Sequence, residues 1–364
     1  MKEKEHILIV CNTVYQIMVA TQLRSTFFRA ENVHIVVSDH MNNSATIAEN
    51  IKESGYFDNV IYVRNKKLVL KQGCRFYKLR RLLNQARETI MNLRIIKKQI
   101  NTKLYSQLCV SNISIFTILL FFLLSRKREI RLSIFEDGFV TYCNSFKKTD
   151  QASLFHRILN RRGMLGAAKQ MFLFNPELLE WRFEGEITAI PKFSRNNSEI
   201  KTILNRIFQF ERIKDDFSKV KYLFLEESFF ADGFQVDDVA IVQAIVAKTS
   251  PNEVLVKLHP RNSINRFTPL GIKTNSSLEI PWELIILNQD ISRLTLITIS
   301  SSAALTPFLI FNIPVKSISL LKLLPQKPGN MSGDLGIFMQ KIYNLHPDIF
   351  LSPKTEEEFF NLLK

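Results

Sequence analysis

Short runs of β-branched and aliphatic residues alternate along the chain with longer stretches in which apolar positions recur every three or four residues. In the first half, HILIVCN, NVHIVVSD, NVIYVRN, YSQLCVSN and IRLSIFEDG predict strands with helices between them. In the second half the strands are VKYLFLEE, NEVLVKLHP, LTLITIS and IPVKSISL, separated by helical patterns such as VDDVAIVQAIVAKT and PWELIILNQ. This alternation is the signature of parallel sheets with covering helices, so two successive α/β units are expected. The segment from about Phe172 to Lys219, with Pro176, Pro191 and the polar Arg195, Asn196 and Asn197, is the expected crossover. The expected domains are residues 1–187 and 188–364.

A chain of 364 residues agrees with two domains, and 46% hydrophobic with 23% charged residues excludes wholesale disorder. Cys11, Cys74, Cys109 and Cys143 stand far apart without a CxxC or Cys/His cluster, which argues against a disulfide scaffold and a structural zinc site. A reducing, cytoplasmic setting follows. The N-terminal MKEKEHILIV has neither a full h-region nor a cleavage site, so no secretory signal is expected. In Val110 to Ser125 the strongly apolar part, Ile113 to Leu124, is 12 residues against the roughly 20 of a membrane span, and predicts a buried helix.

Charge changes the picture in one place. From Arg64 to Lys103 thirteen basic residues face one acid, Glu88, so this stretch carries most of the net charge of +15. Within it, a basic helical module at about 73–103 has Leu79, Leu82, Leu83, Ile90, Leu93 and Ile96 near helical spacing. Such a face is either solvated or drawn to an anionic membrane surface; without interleaved aromatics or a nucleic-acid motif, no nucleic acid partner is expected.

Ligands of open parallel sheets bind beyond the carboxyl ends of strands, so polar residues that end apolar runs are the candidate chemistry. Four places qualify. Thr13 and Gln16 follow the first strand, where Thr13 serves equally as a helix N-cap. Glu136, Asp137 and Gly138 end a later strand with two adjacent acids and a glycine that permits a sharp turn. Lys257, His259, Pro260 and Arg261 gather three potential cations at a strand end, suited to a phosphate diester. Ser300, Ser301 and Ser302 open a helix after a strand, where hydroxyls and unpaired N–H groups converge on an anion.

Taken in order, Cys11, Thr13 and Gln16, then Glu136-Asp137-Gly138, then His259-Pro260-Arg261, then Ser301, Ala303, Ala304 and Leu305 resemble glycosyltransferase family 52, the bacterial sialyltransferases of lipooligosaccharide and capsule. The resemblance covers most of the chain. It implies a GT-B fold of two Rossmann-like domains with parallel sheets facing a cleft. It implies a CMP-sialic acid donor, a galactose-containing acceptor, inversion at the anomeric carbon, and no metal or other cofactor. The absence of an Asp-x-Asp pair agrees with the last point. The alternatives are a GT-B enzyme with a UDP- or GDP-sugar donor, since phosphate-binding parts look alike among nucleotide-sugar enzymes, and a non-catalytic protein that binds a membrane or nucleic acid through its +15 charge.

On that resemblance the general base lies in the loop after VKYLFLEE, where Asp232 is the first choice, with Asp237 and Asp137 as rivals. A carboxylate following Phe229 and Phe230 is expected to be partly desolvated and so raised in pKa. Glu226 and Glu227 stand where small or uncharged polar residues are expected. His259 protonates or hydrogen-bonds the departing phosphate, Lys257, Pro260, Arg261, Ser300, Ser301 and Ser302 hold the donor, and Glu283 accepts from the ribose hydroxyls or acts only as a first-turn acid. Thr13, Gln16, Glu136 and Gly138 are acceptor-side or structural. A homodimer formed through the basic module and a peripheral place at the inner face of the plasma membrane complete the expectations.

Overall fold

The computed structural model describes residues 4–64, 77–126, 128–151, 163–213, 215–324 and 333–363, with side chains described outside 77–86 and 148–151. The chain divides into two compact units, Met1–Pro191 with Thr202–Phe208 and Lys192–Lys201 with Gln209–Lys364.

The first unit is built on seven strands: β1 (His6–Cys11), β2 (Asn32–Ser38), β3 (Asn59–Val63), β4 (Tyr105–Val110), β5 (Arg131–Phe135), β6 (Gln170–Leu173) and β7 (Glu186–Ala189). They form one parallel sheet in the order β3-β2-β1-β4-β5-β6-β7. β1 is an interior strand, and after His6 it is apolar because both faces are covered: Ile7, Leu8, Ile9 and Val10 are all buried. Each such side chain is worth about 1.5–3 kcal/mol on burial, which makes this strand a main anchor of the unit. Helix α1 (Val14–Thr26) follows directly, with the Thr13 hydroxyl accepting from the Gln16 N–H as N-cap, and helix α2 (Ser44–Ser54) joins β2 to β3.

Helix α4 (Ile115–Ser125) begins with a reciprocal Ser114/Thr117 capping box and buries Phe116, Ile118, Leu120 and Leu124. It is the buried helix expected at Val110 to Ser125, although Phe121, Phe122 and Leu123 stay half-buried. No helix among the described residues is long and apolar enough to cross a membrane. The basic module yields helix α3 (Tyr77–Gln99), whose Arg87, Arg94, Lys97 and Lys98 are exposed beside the equally exposed Ile90 and Met91. Lys66, Lys67, Lys71, Cys74 and Arg75 lie outside the described residues. Cys11, Cys109 and Cys143 are buried and form no disulfide among the described residues.

The second unit carries β8 (Tyr222–Leu225), β9 (Val254–Lys257), β10 (Thr295–Thr298), β11 (Lys316–Ser319) and β12 (Phe350–Leu351), all parallel in the order β12-β11-β10-β8-β9. Tyr222, Phe224, Val254, Val256, Ile297 and Ile318 pack with Val242 and Ile245 of the helix Asp238–Lys248 to make its core.

The expected crossover contains two strands that the hydrophobic pattern did not announce. β6 is only four residues long, and β7, at the sheet edge, is largely exposed in the sequence EITA and has no apolar alternation to read. The boundary expected between residues 187 and 188 consequently falls inside β7. β12, two residues long, is likewise below what periodicity can signal.

Candidate active site

In the first unit the strand order turns at β1 and β4, and the loops after β1 and β5 meet although 121 positions separate them. Gln16, in the first turn of α1, uses both ends of its amide: Oε1 accepts the Asn12 N–H and Nε2 donates to Asp137. Tyr15, one position earlier, donates to Glu136 at 2.6 Å. The positive φ of Gly138, +67°, turns the chain sharply so that the Thr141 hydroxyl accepts the Asp137 N–H at 2.8 Å.

The two adjacent acids have different surroundings. Glu136 is fully buried and accepts from Tyr15, Tyr142 and the Phe174 N–H. Burial outweighs these three donors and lifts its pKa to about 7. Asp137 is half-buried, and burial raises its pKa while the Gln16 amide pulls it back. One acid is thus a hydrogen-bonded support; the other is a carboxylate of raised basicity at the sheet edge.

In the second unit the residues following β8, β9 and β10 lie side by side. Pro260 and Arg261 are exposed, and His259 is half-buried. The His259 Nδ1 accepts the Arg261 N–H at 3.2 Å, so in the neutral ring the proton resides on Nε2. Burial, then Arg261 and Lys257, push the His259 pKa down to about 4, which keeps the imidazole neutral at pH 7. A neutral ring of this tautomer is a hydrogen-bond donor through Nε2, with no extra proton to deliver.

Lys257 is buried and lowered in pKa by that burial, while the nearby Glu283 carboxylate acts in the opposite sense. Glu283 sits in the first turn of the helix Trp282–Asn288 and is raised by its own burial, with Lys257 pulling it down.

The serines divide into two groups. Ser300 gives both its N–H, at 2.6 Å, and its hydroxyl to Glu227, which also takes the Thr298 hydroxyl at 2.9 Å. Burial nonetheless raises Glu227 above an ordinary carboxyl. Ser300 is therefore committed within the protein, which differs from its expected place among the donor ligands. Ser301 caps a short 3-10 turn, Ser302–Ala304, and the α-helix proper starts only at Thr306. Ser302 is half-buried.

Asp232 departs from expectation in its electrostatics. It is exposed, accepts the Ser228 hydroxyl at 2.6 Å and pairs with the Arg261 guanidinium. These partners hold its pKa below the ordinary carboxylate value, where desolvation by Phe229 and Phe230 was expected to raise it: Phe229 turns into the core and Phe230 outward. Asp237 caps the helix Asp238–Lys248 through the Ala240 N–H at 3.0 Å.

Two features had no separate sequence signal. Arg266 binds Glu226 at 2.8 Å and Asp238 at 2.7 Å, which accounts for a glutamate where an uncharged residue was expected. A small pocket beyond β10, β11 and β12 is lined by Ser300, Ser319, Gln340, Tyr343 and Ser352. The Tyr343 hydroxyl is buried there, and that burial raises its pKa while Ser319 pulls it back.

Solved structures with the same two-unit architecture are GT-B glycosyltransferases. Over the whole of this chain and 90% of its own, UGT89C1 of Arabidopsis thaliana complexed with UDP-L-rhamnose gives a TM-score of 0.56 at 12% identity. UGT73P12 of Glycyrrhiza uralensis, complexed with glycyrrhetinic acid 3-O-monoglucuronide, gives 0.58 at 9% identity over 96% of this chain and 81% of its own. A UDP-glucosyltransferase from Polygonum tinctorium gives 0.55 at 10% identity over 96% and 85%. At such identities the likeness is one of fold, and the fold is GT-B: two Rossmann-like units, each on a parallel sheet. No curated protein matches the chain.

The family is fixed by sequence. Residues 7–320 match the alpha-2,8-polysialyltransferase (POLYST) family, and the chain belongs to it. The motifs resemble glycosyltransferase family 52, whereas the family matched is this one; a sialyltransferase is what the two share. The protein is accordingly a glycosyltransferase of a sialyltransferase family.

Proposed function

We propose that the protein transfers sialic acid from CMP-sialic acid to a terminal sialyl residue of a surface glycan, by a single inverting displacement that needs no resident metal. The galactose acceptor expected from the motifs gives way to sialic acid for a chemical reason: the family's name specifies a 2,8 linkage, and a hexose has no C8 hydroxyl. The observation that carries the reading is His259, a neutral imidazole with Nε2–H free to donate, flanked by Arg261 and Lys257 at a strand end. That combination suits a leaving phosphate whose negative charge grows as the bond to the sugar breaks.

Asp137 takes the base role in this proposal. Its carboxylate removes the proton from the acceptor hydroxyl as that oxygen bonds to the sialyl anomeric carbon. The bond from that carbon to the phosphate oxygen breaks, and CMP leaves with the electron pair. Raised basicity and a fixed orientation from Gln16 favour Asp137; ion pairing to Arg261 argues against Asp232. Glu136 supports the loop. Arg261, Lys257, Ser301 and Ser302 hold the phosphate. The exposed Arg87, Arg94, Lys97 and Lys98 beside Ile90 and Met91 on α3 support a reading in which this helix meets anionic lipid peripherally.

The test is thermal stabilisation by CMP, UDP and GDP in parallel. Selective stabilisation by CMP is expected; preference for UDP or GDP would assign another nucleotide sugar and overturn the donor.

A further inference from the structure

We propose that Arg266 is a positioning residue for His259, holding through Glu226 the turn that fixes the imidazole with its proton on Nε2. The inference rests on the reading of His259 as the group that meets the donor phosphate.

The chain leaves β9 at Lys257, runs through His259 and Pro260, and re-enters the core at Phe267, which is fully buried. One guanidinium closes this loop. Arg266 Nη2 donates to one carboxylate oxygen of Glu226 at 2.8 Å, and the other oxygen of Glu226 accepts the His259 N–H, also at 2.8 Å. The same guanidinium makes a two-pronged contact with Asp238, 2.7 Å on each prong, and its face lies 4.8 Å from the Phe230 ring. Asn262 ties the middle of the loop down, donating to the Glu227 carbonyl at 2.9 Å and accepting the Ala231 N–H at 3.2 Å.

The tautomer of His259 depends on backbone placement, because its Nδ1 is matched by the Arg261 N–H and by no side chain. If the His259 N–H loses its anchor on Glu226, the turn relaxes and Nδ1 becomes free to carry the proton. Nε2 would then be an acceptor facing a phosphate that also only accepts. Glu226 and Asp238 are both buried, at 3% and 1% exposure, so without Arg266 two carboxylates would face one another with no cation between them. A lysine supplies the charge but not the planar fork that reaches both acids at once, which makes Arg266→Lys the informative change.

The full-length protein, labelled with 15N at histidine, is compared with Arg266→Lys and Glu226→Gln. The ring-nitrogen shifts of His259 report its tautomer, and steady-state transfer from CMP-sialic acid reports kcat and KM. In both variants the Nδ1–H form is expected to appear and kcat to fall about 10- to 100-fold, more than KM changes, as for a group displaced by about an ångström. Should Arg266→Lys unfold at a lower temperature, Glu226→Gln carries the same test with side-chain volume preserved. Retention of the Nε2–H form with parental kcat in the folded variants overturns the inference. The reading of His259 fails separately, if His259→Ala transfers as the parent does; the tautomer in Arg266→Lys still decides the inference about Arg266.

Discussion

Replacing Glu136 by Gln removes a titration while keeping the shape that three donors require. In the parent, burial lifts the Glu136 pKa from 4.5 to about 7. At about 1.4 kcal/mol per pKa unit, a shift of that size favours the protonated form in the fold by about 3 kcal/mol. The sign follows from the raised value: this stabilisation is fully present below pH 4.5, where the acid is protonated in both states, and is lost as pH rises through 7. The glutamine stays neutral throughout. Its carbonyl oxygen can take the Tyr142 hydroxyl and the Phe174 N–H, while its amide donates to the Tyr15 oxygen in place of the parental contact. The assay is urea or thermal unfolding of parent and variant between pH 4.5 and 8. Relative to the parent, Glu136→Gln should gain about 1–3 kcal/mol on going from pH 4.5 to 8, or about 2–4 °C in Tm per kcal/mol for a unit of this size. Parallel stability profiles across that window would show that Glu136 titrates as an ordinary carboxyl, and would refute the account of why two adjacent acids do different work.

Three further outcomes are expected. Asp137→Asn should lower transfer by about 10² to 10⁴-fold while stabilisation by CMP persists, and Asp232→Asn should keep most turnover; the reverse pattern would move the base to the second unit. His34, whose pKa is lowered by burial and by the neighbouring His6, contributes stability that is present above pH 6.5 and lost as pH falls through its lowered value, so His34→Gln should flatten the acid limb of the unfolding profile, and an unchanged limb would exclude this origin. Binding to vesicles should require acidic lipid, weaken as salt rises and drop in Arg94→Gln/Lys97→Gln/Lys98→Gln, each charge contributing about 1 kcal/mol or less; indifference to lipid charge would assign the face to solvent or to a second copy of the chain.

The parallel sheets were legible because their strands are apolar on both faces, and the runs read from the sequence as HILIVCN, NVHIVVSD and NEVLVKLHP became β1, β2 and β9. Where a strand lies exposed at a sheet edge, as β7 does, the apolar signal disappears with the burial that produces it. Candidate residues at strand ends were equally legible, since the carboxyl edge of a parallel sheet is a property of topology. Their individual states were not, because those depend on partners far along the chain. Gln16 and Asp137 are 121 positions apart, and Arg266 reaches back 40 positions to Glu226.

Asp232 illustrates the consequence. Two preceding phenylalanines suggest an apolar setting, yet the pKa of a carboxylate follows the environment of its own oxygens. Those oxygens meet a hydroxyl and a guanidinium, and the second of these belongs to the His-Pro-Arg motif assigned to the donor. An arginine that pairs with Asp232 in the free protein must be shared with, or surrendered to, any phosphate arriving at His259. Under the proposed function, with Asp137 as the base, Asp232 would hold the place of the phosphate at Arg261. On that account, removing its charge should tighten CMP binding, whereas removing the charge of Asp137 should leave CMP binding unchanged.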